Sequence, residues 1–122
     1  MQGPPLIGVL DDEPQFRKAL DRLLRTYGFE VVTFALGEDL LAACASRSPD
    51  CLLLDLHMPG LNGFDVLERI AARHVPVLVI TGHDQPGNAE RVRALGGAGY
   101  FLKPVNETQL LAAIRAALGE SS

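Results

Sequence analysis

Short, nearly continuous runs of Leu, Ile and Val alternate along the chain with stretches in which apolar residues recur every three or four positions. The runs are Pro5 to Leu10, Glu30 to Phe34, Asp50 to Leu54, Pro76 to Ile80 and Gly99 to Leu102. The first, third and fourth carry almost no polar position, the pattern of strands buried on both faces. After the first run, Phe16, Ala19, Leu20, Leu23, Leu24 and Tyr27 keep helical spacing, while Arg17, Lys18, Asp21, Arg22 and Arg25 take the opposite side. Pro14 suits the first turn of that helix and Gly28 the left-handed residue just past its end. A second helix is expected over Glu38 to Ser46, and a third carries Phe64, Leu67, Ile70 and Ala71. A fifth starts at Asn106, which with Gln109 has the form of a capping box, and lines up Leu110, Leu111, Ile114 and Leu118. The fourth, from about Gly87 to Leu95, has the thinnest apolar stripe, and Gly87 and Asn88 weaken its start.

Five strands and five helices in strict alternation predict a doubly wound α/β domain on a five-stranded parallel sheet. The expected strand order is 2-1-3-4-5. The second strand runs into Phe34, Ala35 and Leu36, with no reactive group, as suits an edge. The other four end in chemistry: Asp11, Asp12 and Glu13 after the first, Asp55 after the third, Thr81 after the fourth, Lys103 and Pro104 after the fifth. Ligands of such sheets bind beyond the carboxyl ends of the strands, where strand order reverses.

Composition narrows the function classes. The 122 residues carry 11 Lys+Arg against 15 Asp+Glu, a formal charge of −4, with 48% hydrophobic residues. A chain of this length buries roughly two thirds of its unfolded surface, so one domain with its own core is expected, spanning 1–118, with 119–122 a tail or the start of a linker. The mild acidity argues against direct nucleic-acid binding and against an anionic membrane. No apolar run approaches the roughly 20 residues of a membrane span, and the N-terminus lacks the order of a signal peptide, so a cytoplasmic location is expected. Cys44 and Cys51 lack the spacing of thiol redox or zinc chemistry and read as reduced core residues.

Three carboxylates at one crevice repel one another unless a cation lies among them, and a hard divalent ion with oxygen ligands, Mg²⁺, suits them. Lys103 adds an ammonium and Thr81 a hydroxyl. A cation, an ammonium and a hydroxyl converging on a carboxylate stabilise phosphoryl oxygens, and the carboxylate itself can be the nucleophile. Singly, each residue has an ordinary role as a cap, turn or surface group. Their joint placement at one end of one sheet carries the phosphoryl reading.

Asp11-Asp12-Glu13, Asp55-Leu-His-Met-Pro-Gly with Asn62-Gly63, Ile80-Thr81-Gly82 and Tyr100-Phe-Leu-Lys103-Pro104 together resemble the receiver domain of two-component response regulators, with its CheY-like fold. The resemblance covers essentially the whole chain. It implies that Asp55 accepts a phosphoryl group from a histidine kinase or histidine phosphotransferase. It also implies that Asp12 and Asp55 coordinate Mg²⁺ directly, that the backbone carbonyl of His57 is a third ligand, and that Asp11 acts largely through water. Thr81 then bonds a phosphoryl oxygen, Lys103 pairs with the phosphoryl group, and the bond before Pro104 is cis. Tyr100 matches the family's switch aromatic: Thr81 moves toward the phosphoryl group, the ring turns into the vacated space, and the face of the fourth helix, fifth strand and fifth helix changes shape. Such a chain is a signalling phosphoprotein rather than an enzyme, catalysing only its own phosphotransfer and autodephosphorylation. The resemblance further implies kinase docking near the first helix and allows homodimerisation through the switching face.

Gly82 stands where the family often has Ala or Ser, which leaves the phosphoryl group more open, and the Thr-Gly-His run resembles FixJ-like regulators. Val105 replaces a common Phe. His57 and His83 stand two residues beyond Asp55 and Thr81, at positions that in this family flank the path to the phosphoryl group. An aspartyl phosphatase of the haloacid dehalogenase type would want an acid at His57, and a flavodoxin-like carrier would find its phosphate repelled by Asp11-Asp12-Glu13. The chain is expected to be either a stand-alone receiver or one cut from a longer regulator at Gly119.

Overall fold

In the computed structural model, which describes residues 3–58, 60 and 62–119, the apolar runs form β1 (Leu6–Leu10), β2 (Glu30–Phe34), β3 (Cys51–Leu54), β4 (Val77–Thr81) and β5 (Gly99–Leu102). The periodic stretches form α1 (Pro14–Thr26), α2 (Gly37–Cys44), α3 (Gly63–Ala71), α4 (Asn88–Ala94) and α5 (Glu107–Ala117). All strand pairs are parallel and the order is β2-β1-β3-β4-β5, as expected from the chemistry of the strand ends.

Alternation along the strands divides the core in two, because successive side chains point to opposite faces. Ile7, Val9, Leu53 and Ile80 pack on one face with Leu20 and Leu24 of α1 and Leu110 and Ile114 of α5. Leu10, Leu52, Leu54 and Val79 pack on the other with Leu40 of α2, Val66, Leu67 and Ile70 of α3, and Val92 of α4. Both faces being covered explains why the three middle strands, β1, β3 and β4, are buried at every position.

Element boundaries follow local chemistry. Pro14 opens α1, and Gly28 takes φ 90° just past its end. Asn106 caps α5 by accepting the Gln109 backbone N–H at 2.9 Å. The second helix stops at Cys44, short of Ser46, because the next turn tightens to i→i−3 bonds, Ala45 to Ala42 and Ser46 to Ala43. Gly87 is the cap residue before α4 rather than its first turn. His74, just past the end of α3, takes φ 65° in the left-handed region and donates its backbone N–H to the Ala71 carbonyl. Tyr27 departs from the expected apolar stripe: it is 51% exposed, with the Arg115 guanidinium 6.0 Å from its ring. Of the expected tail, Gly119 is exposed and residues 120–122 lie outside the described part.

Candidate functional site

Register assembles the site. Leu10 pairs with Leu54 across β1 and β3, and the ladder continues one step as Asp55 donates its N–H to the Leu10 carbonyl at 3.0 Å, so Asp11 and Asp55 leave the sheet side by side. Thr81 pairs with Leu102, and Lys103 donates its N–H to the Thr81 carbonyl at 2.9 Å. Segments 92 residues apart thus meet at the carboxyl end of the sheet.

Among the described residues, the buried polar ones are Asp11, Asp55 and Thr81, at 1%, 5% and 1% exposure. Asp12 is exposed. Carboxylate oxygens of Asp11, Asp12 and Asp55 lie within 4.8 Å of one another. The Oδ1 atoms of both buried acids are held by the N–H two residues on, Asp11 by Glu13 at 2.8 Å and Asp55 by His57 at 3.0 Å. This is the Asx-turn geometry that short acidic side chains favour. Their Oδ2 atoms turn to the Lys103 ammonium, 2.8 Å from Asp11 and 3.5 Å from Asp55. Thr81 Oγ1 accepts the His83 N–H at 3.2 Å.

The charges shape one another. Burial pushes the Asp11 carboxyl above its ordinary range, and the nearby Asp55 charge adds to this, against the opposing pull of Lys103 and the Glu13 N–H. Burial alone would lower Lys103, but its bonds to Asp11 and Glu13 and the charges of Asp11 and Asp55 outweigh that and hold it above the ordinary lysine value. The bond from Lys103 holds Glu13 below the usual carboxylate range. Burial, with the Asp50 charge, pushes the Cys51 thiol up to about 12, so it stays an inert core group.

Other expected site residues take their places around this centre. The Lys103-Pro104 bond is cis. Gly82 is exposed beside the Lys103 stem, whose Cδ lies 3.9 Å from where a Cβ would stand. Tyr100 is half-buried, its hydroxyl donating to Asp84 Oδ1 at 2.8 Å. Burial first, then that acceptor, raises its phenol above the ordinary value. Three contacts were not foreseen: Glu13 on Lys103 at 2.7 Å, the Phe16 ring 4.1 Å beneath the same ammonium, and Asp84 under Tyr100. Glu13 belongs to the acidic run and could have been suspected. Phe16 sits in a helical stripe that reads simply as core.

The family model for the response regulator receiver domain matches residues 7–115. The chain is 35% identical over 115 residues to the DNA-binding transcriptional regulator NtrC of Salmonella typhimurium, covering 93% of this chain and 24% of that protein. It is 33% identical over 118 residues to the transcriptional regulatory protein FixJ of Azorhizobium caulinodans, covering 95% of this chain and 56% of that one. The fold superposes with TM-score 0.90 on a CheY-like response regulator receiver domain protein from Methanospirillum hungatei, at 24% identity, covering 96% of this chain and 95% of that one. The chain belongs to the response regulator receiver domain family. It spans about a quarter of the length of NtrC and about half that of FixJ. Among the described residues no helix is long and apolar enough to cross a membrane.

Proposed function

We propose that Asp55 accepts a phosphoryl group from a histidine kinase or histidine phosphotransferase and that the modification switches the α4-β5-α5 face. The observation that carries this reading is the convergence of Asp11, Asp12, Asp55, Thr81 and Lys103 at the carboxyl end of the sheet. The donor set also suits a hard divalent cation: every candidate ligand atom is an oxygen, two of the acids are buried, and the third is exposed, which leaves room for bound water. Asp12, Asp55 and the His57 carbonyl would hold Mg²⁺, with Asp11 acting through water. When bound, the ion supplies positive charge to the phosphoryl oxygens.

An Asp55 oxygen is the nucleophile, held in orientation by the His57 N–H. Lys103 lies 3.5 Å from Asp55 and needs only to release Glu13 to meet a phosphoryl oxygen. The Thr81 hydroxyl already accepts from His83 and keeps its own proton to donate to the modified group. Its movement, and a rearrangement of Tyr100 away from Asp84, would couple the site to α4 and β5 and bias a two-state equilibrium. The chain acts as a signalling phosphoprotein with only self-directed phosphotransfer and autodephosphorylation. Its kinase partner would meet it in the cytoplasm near α1, and homodimerisation would use the α4-β5-α5 face. Direct contact with nucleic acid or membrane is not part of its role; DNA binding by relatives such as NtrC would belong to regions outside this match.

Incubation with acetyl phosphate and Mg²⁺ followed by intact-mass analysis tests the reading. Wild type gains one phosphoryl group, Asp55→Asn gains none, and EDTA prevents the gain. An unmodified wild type, or equal modification of Asp55→Asn, would falsify it.

A further inference from the structure

The Lys103 ammonium is closely surrounded. Two of its protons go to Asp11 at 2.8 Å and Glu13 at 2.7 Å, Asp55 lies 3.5 Å away, and the Phe16 ring centroid lies 4.1 Å from the nitrogen. With 14% of the side chain exposed, little water shares the charge. A cation over an aromatic face is attracted by the ring quadrupole, most strongly where water is excluded. Phe16 stands in the first turn of α1, and that turn is anchored. The Arg17 N–H donates to the Glu13 carbonyl at 3.0 Å, and the Arg17 guanidinium donates to the Asp11 carbonyl at 2.7 Å. The half-buried ring also packs against the core cluster that holds Leu20 and Leu110. A fixed ring thus faces the end of a flexible lysine stem.

These partners differ in what they do when a phosphoryl group arrives. The carboxylates occupy the same ammonium protons that a phosphoryl oxygen needs, and Glu13, whose side chain is 63% exposed, draws the ammonium toward solvent. A ring attracts the charge and occupies no proton. It keeps its hold while a phosphoryl oxygen replaces Glu13.

We propose that Phe16 is a positioning residue for the transfer: its ring face keeps the Lys103 ammonium beside Asp55 while the ammonium exchanges Glu13 for the incoming phosphoryl group. This role rests on the receiver reading above and adds to it the residue that steadies the lysine. With acetyl phosphate as donor, an Asp55 oxygen forms the new O–P bond as the O–P bond to the acetyl group breaks. The electron pair of the broken bond leaves on acetate, and neither Lys103 nor Phe16 gives up a proton.

Two measurements test this. In urea unfolding without Mg²⁺, Phe16→Leu raises the unfolding equilibrium constant about threefold to tenfold more in the wild-type background than in Lys103→Gln, where no cation faces the ring. With acetyl phosphate and Mg²⁺, Phe16→Leu slows the initial phosphorylation of Asp55 about threefold to tenfold, whereas Phe16→Tyr, which keeps the ring face, stays within about twofold of wild type. Phe16→Met, a second variant without a ring, follows Phe16→Leu in both. Equal destabilisation in the two backgrounds means that Phe16 only fills space, and overturns the proposal. So does an unchanged rate in the ring-free variants, or a tyrosine variant as slow as they are. A wild type that gains no phosphoryl group sinks the receiver reading instead, and the unfolding measurement, which needs no phosphorylation, still reports whether the ring holds the lysine.

Discussion

Lys103 meets Asp11, 92 residues earlier in the chain, at 2.8 Å and Glu13 at 2.7 Å, above the face of Phe16. Its raised pKa keeps it charged throughout the neutral range, so the ion pairs it makes persist until pH climbs through a value above 10.5. Asp11 behaves in the opposite sense. Its carboxyl is raised above 3.8, so the folded state holds the proton more readily than the unfolded one. Stability of the metal-free protein is therefore lost as pH rises from 3.8 through the folded-state value. Asp11→Asn is expected to unfold at a higher temperature than wild type at pH 7 in EDTA, with the gap closing toward pH 4. Thermal melts across that range check it, and a variant less stable than wild type at pH 7 would contradict it. Glu13, held low by Lys103, contributes above about its ordinary 4.5 and stops contributing as pH falls below that. That Asp11, Asp12 and Asp55 gather in one cluster was legible from their position after β1 and β3. Which of them binds the lysine in the resting state was not, because Lys103 could reach any of three carboxylates and only rotamers and burial decide among them.

At the scale of the element, the sharpest constraint is the entry to α3. A Cβ on Gly63 would lie 2.6 Å from both the Cα and the carbonyl oxygen of Leu56, backbone atoms that cannot turn aside. Gly63→Ala should therefore push α3 away from the segment that follows Asp55, at a cost of about 2 kcal/mol or more in urea unfolding, the range of overpacking and backbone conflicts. Asn106→Ala removes the side-chain acceptor for the Gln109 N–H and should cost about 1 kcal/mol by the same measurement. Equal unfolding midpoints for these variants and wild type would count against both accounts. Helix and strand types were readable throughout because period 3.6 and period 2 are written into local segments. The glycine's reason was not, since the clash it avoids is with a residue outside its own helix.

Across the whole molecule, packing is uneven. The strands β1, β3 and β4 are buried at every position, whereas α4 buries only Val92 and β5 is partly exposed along its length. Helices held by few apolar contacts open at lower free energy, so the α4-β5 side is where the proposed modification of Asp55 is expected to act. With acetyl phosphate and Mg²⁺, hydrogen exchange followed by mass spectrometry should change within 82–104 and stay constant in α1 and α2. A change centred on α2 would place the switch elsewhere. The sequence by itself determined the order of elements, the parallel sheet with β2 at its edge, and the acids, hydroxyl and lysine at the strand ends, because burial on two faces and crossover topology leave few alternatives. Only the tertiary structure decided that Lys103 rests on Glu13 and Phe16, that His57 stacks on His83, and that Tyr100 reaches Asp84. Those contacts join side chains from different loops and helices, and their geometry depends on strand register and rotamer choice, neither of which leaves a periodic mark in the chain.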